Sequence, residues 1–136
     1  GIRETRRVRG EAYIERDAFV RRAKFPDAIA RVRYMIDIHN PDGTGTEIIR
    51  MPEGEWYEIP FGCVVARDAD NLLIGGRPIS VDHAIHSSMR IMPTACTIGQ
   101  AAGMGAALAA SRGCRAKDLD GAAVRRALVE QGAKLQ

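Results

Sequence analysis

Residues 93–110 form an unbroken run of eighteen without a charge, and more than half of them are Ala or Gly. No other stretch restricts the fold so strongly. Its length raises the question of a membrane-spanning helix. Thr94, Thr97 and Gln100 inside the run, and its shortage of large apolar side chains, point instead to a buried helix of a soluble protein, with no membrane partner. The helix is predicted to open near Met92, with Pro93 in its first turn, where a missing N–H costs nothing. If it continues to Arg112 it is roughly 30 Å long at the helical rise. Gly113 then supplies the residue that ends it. Gly99, Gly103 and Gly105 lie inside, and each interior glycine costs about 1 kcal/mol relative to alanine. Ala95, Gly99, Gly103 and Ala107 recur at i, i+4, so one face is nearly smooth. Something is expected to approach that face closely, either a flat cofactor or another backbone. Tight helix-on-sheet packing is the plainer alternative.

Upstream of the helix, residues 72–75 read as an apolar strand covered on both faces. Residues 62–66 are predicted to pair with it as a hairpin across the turn at 67–71. Gly75 and Gly76 turn the chain, and Arg77 follows. Strand, glycine turn and helix N-terminus together make a place where an anion can meet free backbone N–H groups. Residues 80–88 hold the densest polar cluster, with Asp82, His83, His86, Ser87 and Ser88. His83 and His86, at i, i+3, share a helix face. They are not expected to bind a metal, because no convincing third ligand accompanies them and Asp82 points elsewhere.

Residues 2–9 alternate as a strand does, but neither face is apolar. A solvated edge strand is one reading; a strand whose Glu4 and arginines look into a polar cavity is the other. Residues 15–23 are predicted helical, with Phe19 and Val20 as apolar contacts, and Phe25-Pro26 stops them. Residues 27–33 suit a short strand or turn, 34–39 a strand, 40–45 a turn and 56–59 a strand entering Pro60. His39 ends its strand; a hydrogen-bonded surface histidine is the ordinary reading there, and a site role the alternative. Leu119 and Asp120 open a last helix, which Asp120 caps and Gly132 ends.

A chain of 136 residues, 46% hydrophobic, suffices for one globular domain, and 5% aromatic content means a core of small side chains. Residues 1–33 carry ten Lys/Arg against five Asp/Glu, the rest ten against twelve. Acidic residues interleave the early arginines, and no zinc pattern or stacking series accompanies them, so nucleic acid is not the expected partner. A small anionic substrate, or internal pairing, suits them better. Cys63, Cys96 and Cys114 are odd in number and lack metal spacing, so they read as reduced thiols. Charge in residues 1–20 argues against a secretory leader, and a cytoplasmic location is expected. The chain opens on Gly1 rather than methionine, which suggests a piece of a longer protein.

Five stretches occur in a characteristic order: Gly1-Ile2-Arg3-Glu4-Thr5-Arg6-Arg7, Ile36-Asp37-Ile38-His39, Tyr57-Glu58-Ile59-Pro60, Asn71-Leu72-Leu73-Ile74-Gly75-Gly76-Arg77, and Arg90-Ile91-Met92-Pro93-Thr94 leading to Gly99-Gln100-Ala101-Ala102-Gly103. Together they resemble the C-terminal part of FAD-dependent oxidoreductases of the xanthan-lyase-like kind, across nearly the whole chain. The G-x-G-x-x-G turn that holds the FAD pyrophosphate in such proteins is absent from this sequence. The resemblance therefore implies an α+β fragment of a two-domain flavoprotein, with residues 1–60 from the substrate domain and 61–136 closing the FAD domain. It implies FAD as cofactor in the parent, bound weakly or not at all by this chain alone.

The resemblance also implies site residues. Gly75, Gly76, Arg77, Ser88, Arg90, Met92, Pro93, Thr94 and Ala95 would contact the cofactor, the helix N-terminus favouring the negative charge of reduced flavin. Arg3, Arg6, His39 and His86 would face a small organic, anionic substrate, a histidine exchanging the proton. The implied reaction is hydride transfer between flavin and that substrate. The competing reading is a non-catalytic interaction module whose smooth helix packs on the missing N-terminal half, a partner chain or a second copy. An independent hydrolase is excluded by the lack of a nucleophile elbow.

Overall fold

The computed structural model describes residues 4–39 and 42–135. The elements in order are α1 (Arg16–Val20), β1 (Ala28–Val32), β2 (Ile36–His39), β3 (Thr46–Ile49), β4 (Tyr57–Pro60), α2 (His83–Met89), α3 (Met92–Arg112) and α4 (Gly121–Glu130). Short 3-10 turns occupy Phe61–Cys63 and Ala116–Asp118. Short antiparallel strands with helices make this an α+β structure, as the sequence led us to expect.

Helix α3 has the predicted limits. Pro93 lies in its first turn, and Gly113, at φ 62°, closes it with its N–H on the Ala109 and Ala110 carbonyls. Its buried face is Thr94, Ile98, Ala101, Ala102, Gly105 and Ala109, packed on β1 and α4. One of its glycines is required by that packing. A Cβ at Gly105 would stand 2.9 Å from the Phe61 ring and 3.0 Å from Leu73. Gly99 and Gly103 are different: both are exposed, and a Cβ on either would meet nothing within 4 Å. The smooth face predicted from the i, i+4 spacing therefore points outward among the described residues, and sheet packing does not account for it.

Strand β1 pairs antiparallel with β4, Ala30 opposite Ile59 and Val32 opposite Tyr57, with an irregularity between Ala28 and Ala30. Ala28, Ile29, Ala30, Val32, Tyr57 and Ile59 are all buried, so this two-stranded sheet sits inside the core. Ile36, Ile79, Ile85, Met89, Ile98 and Leu128 complete it, each fully buried side chain contributing about 1.5–3 kcal/mol. Strands β2 and β3 form a hairpin with Ile36 opposite Ile49 and His39 opposite Thr46. The Asp37 N–H donates to Ser87 Oγ at 3.2 Å, which ties β2 to α2.

Four expectations fail. Residues 4–9 form no strand. With charge on both faces they have no apolar side to bury, and they run along the later loops instead, Val8 N–H donating to Pro78 O and Arg67 N–H to Arg9 O. Residues 62–66 begin as a 3-10 turn, and the hairpin shrinks to one bridge, Val65 with Leu73, flanked by Ala66 N–H to Leu72 O and Ile74 N–H to Val64 O. Residues 72–75 are not covered on both faces: Leu72 is 46% exposed, and Leu73 and Ile74 are half-buried. Helix α1 stops at Val20, which is itself exposed, because Arg22 turns to a φ of 53° before Pro26 is reached.

Candidate functional site

Helix α2 is started by Asp82. Its Oδ1 accepts the Ile85 N–H at 2.7 Å and its Oδ2 the Arg16 N–H at 2.8 Å. This cap anchors α2 to α1 and sets His83 and His86 one turn apart on the face toward Glu4. His83 Nδ1 is 2.6 Å from Glu4 Oε2, and His86 Nδ1 is 3.4 Å from the same oxygen. Arg7 Nη1 approaches the other oxygen, Oε1, at 2.9 Å. His83 is largely exposed, whereas His86 is only 2% exposed, and its Nδ1 has no aligned hydrogen bond among the described residues. Burial holds the His86 pKa below the usual imidazole value. The Glu4 charge opposes that shift, and Arg7, Arg90 and His83 add to it. His86 is thus kept neutral near pH 7.

Two clefts adjoin here. The smaller, about 150 Å³, is lined by Glu4, Asp37, Ile38, His39, His83, His86, Ser87 and Arg90. The larger, about 460 Å³, is lined by Tyr34, Asp37, Arg77, Ser87, Arg90, Ile91, Met92 and Pro93. Asp37, Ser87 and Arg90 border both. Helix α3 begins on the larger cleft without a side-chain cap. The Ala95 N–H returns to the Ile91 carbonyl at 3.0 Å, and the Ile91, Met92 and Thr94 amides before it have no backbone acceptor among the described residues. Met92 is 80% exposed. Arg77 is exposed and has no ion-pair partner among the described residues. It follows Gly76, whose φ of 88° an L side chain rarely adopts. Gly75 lies against α3 itself: a Cβ there would stand 3.3 Å from Gly99 Cα, so loop and helix meet backbone to backbone.

The structure thus gathers His39, His86, Arg77, Arg90, Met92 and Pro93 around one bipartite cleft, with Gly75 and Gly76 on the loop that delivers Arg77. His39 is exposed, its Nδ1 3.1 Å from Thr46 Oγ1. Thr94 is buried and Ala95 half-buried behind the helix terminus. Ser88 is fully buried; its hydroxyl donates to Tyr34 O at 2.6 Å and accepts from Tyr57 Oη at 3.1 Å, and it lines neither cleft. Arg6 is exposed and outside both linings, and Arg3 lies outside the described residues. Five polar contributors went unassigned from sequence: Glu4, Tyr34, Asp37, His83 and Ser87. The alternation of residues 34–39 was a signal for Asp37. Nothing local could have matched Glu4 to residues eighty positions away.

A larger hollow of about 710 Å³ runs along α1 between Tyr13 and Phe25. It follows the short helix α1 from its N-cap Glu15 to its C-cap Arg21, and Arg21 pairs with Asp17 there at 2.5 Å. Among the described residues no three or more His, Cys, Asp or Glu side chains are grouped to hold a metal ion, and no helix is long and apolar enough to cross a membrane.

No curated protein and no solved structure matches the chain. A family model described as FAD dependent oxidoreductase matches residues 1–128, a span that takes in every residue of the bipartite cleft. The chain belongs to the FAD dependent oxidoreductase family.

Proposed function

We propose that the chain is the C-terminal part of a xanthan-lyase-like oxidoreductase, and that the larger cleft receives the flavin end of FAD. In this reading residues 1–60 belong to a substrate domain and 61–136 close the FAD domain. The pyrophosphate would be held by a glycine-rich strand–turn–helix unit that this sequence does not contain. The observation that carries the proposal is one cleft lined both by Arg77, which follows the Gly75–Gly76 turn, and by Met92 and Pro93 at the uncapped start of α3. An open glycine turn, a guanidinium with no ion-pair partner among the described residues and the amides of the helix start form a donor set suited to an electron-rich ring edge and its polar chain.

When bound, FAD supplies the hydride acceptor or donor. The residues of this chain do the rest. The amides at the start of α3, at the positive end of the helix dipole, favour negative charge beside them. Arg77 and Arg90 hold an anionic group of the cofactor or of a small organic substrate. Neutral His86, beside Arg90 in the smaller cleft, takes up or returns the proton that accompanies the hydride.

The test uses the protein joined to its dinucleotide-binding unit. It is expected to purify with the visible absorbance of a flavin, and Arg77→Ala is expected to lower the flavin content. Protein that purifies and refolds without flavin would refute the reading. The exposed, open face at Gly99 and Gly103 supports a second reading, an interaction module that docks this face on a partner chain or a second copy. A monomer whose flavin content falls when Gly99 is enlarged decides against that module.

A further inference from the structure

The Glu4 carboxylate faces more groups than one ion pair needs. Arg7 takes one oxygen at 2.9 Å, and the other lies 2.6 Å from His83 Nδ1 and 3.4 Å from His86 Nδ1. The two histidines differ sharply in setting, for the His83 ring is 61% exposed and the His86 ring 2%. A buried ring nitrogen without an aligned partner is costly, and hydrogen bonds that act in a reaction are often long before substrate arrives and tighten later. We propose that Glu4 is the positioning residue of His86: held by Arg7 and shared with His83 at rest, it closes on His86 Nδ1 when that ring gains a proton.

This inference rests on the assignment of His86 as the proton-exchanging group. A carboxylate only accepts, so even at 3.4 Å the Glu4 charge favours the hydrogen of neutral His86 on Nδ1 and leaves the Nε2 lone pair as the base. The step balances simply. As a substrate hydroxyl or amine is oxidised, its carbon would give a hydride to the oxidised flavin of the proposed function, and its heteroatom gives one proton to Nε2. The imidazolium formed is neutralised by Glu4. In the reverse direction Nε2 returns that proton. The other charges near His86 are Arg7 on the N-terminal segment, His83 and Arg90 on or beside α2, and Asp37 and His39 on β2. Glu4 is the acid closest to its ring nitrogen.

The test is a histidine-resolved NMR titration of the full chain, which reads tautomer and titration midpoint without any turnover. Neutral His86 is expected as the Nδ1–H tautomer. Glu4→Gln is expected to shift the His86 midpoint to lower pH, and Glu4→Asp to restore part of the shift. His83→Gln, at an exposed residue that cannot upset the core, is expected to shift it upward by releasing Glu4 to His86 and removing a neighbouring charge. A wild-type Nε2–H tautomer, or a His86 midpoint that moves in neither Glu4→Gln nor His83→Gln, overturns the proposal. Opposed shifts in a protein that takes up no flavin even when joined to its dinucleotide-binding unit overturn the flavin reading alone, while flavin uptake by that joined protein with an unmoved His86 overturns the positioning role alone.

Discussion

Alanine at Gly99 and Gly103 should stabilise this chain, while alanine at Gly105 should not. All three are interior to α3, so each change gains about 1 kcal/mol of helix propensity. At Gly99 and Gly103 the new Cβ meets nothing within 4 Å, and the gain is kept. The double variant is expected to be more stable by about 2 kcal/mol, since neither Cβ meets an atom within 4 Å and each gain is one of backbone propensity. For a domain of this size that is a rise in Tm of roughly 6–10 °C. At Gly105 the Cβ would stand 2.9 Å from the Phe61 ring and 3.0 Å from Leu73, so side chains inside a packed core must move. Overpacking costs typically 1–3 kcal/mol, which cancels or outweighs the propensity gain. Urea unfolding followed by far-UV circular dichroism gives the midpoints, with the slope checked for constancy. Equal destabilisation by all three substitutions would refute the assignment of an open face to Gly99 and Gly103.

Other outcomes follow from single residues. The folded chain holds His86 below its ordinary value of 6.5, so the unfolded chain binds more protons as pH falls; the stability present above that value is lost on acidification, and His86→Asn should flatten the slope of unfolding free energy between pH 7 and about pH 5. Burial, with Asp27 adding to it, pushes the Cys63 thiol up to about 12, whereas Cys96 is exposed; a thiol reagent should label Cys96 first and Cys63 only on unfolding, and early Cys63 labelling would contradict the core. Gly76 at φ 88° makes Gly76→Val strained in this chain as well as in any holoenzyme, with an expected loss of about 1–3 kcal/mol in urea.

Much of the fold could be read from the chain because its signals were local. Pro93 and Gly113 bounded α3, and Asp120 marked α4; its Oδ1 accepts the Ala122 N–H at 2.9 Å. Strands β2 and β4 followed from short apolar alternation beside turns. Residues 4–9 and 62–75 were misread because alternation and apolar runs say nothing about whether a neighbour exists to pair with. The spacing of His83 and His86 showed that they share a face, and their partner Glu4 became visible only in three dimensions. The glycine pattern of α3 gave the right residues and the wrong plain explanation, since packing requires Gly105 and leaves Gly99 and Gly103 open.

The central claim is that the Gly75–Arg77 loop and the start of α3 form the flavin-facing wall. Titrating the isotope-labelled protein, joined to its dinucleotide-binding unit, with FAD and following the backbone amides of this chain tests this most directly, because each residue of the wall reports separately. Within this chain, shifts are expected at residues 75–77 and 90–95, with His86 responding beside them. Shifts centred on the α1 hollow, or none at 75–77 and 90–95 as FAD is raised, would contradict it.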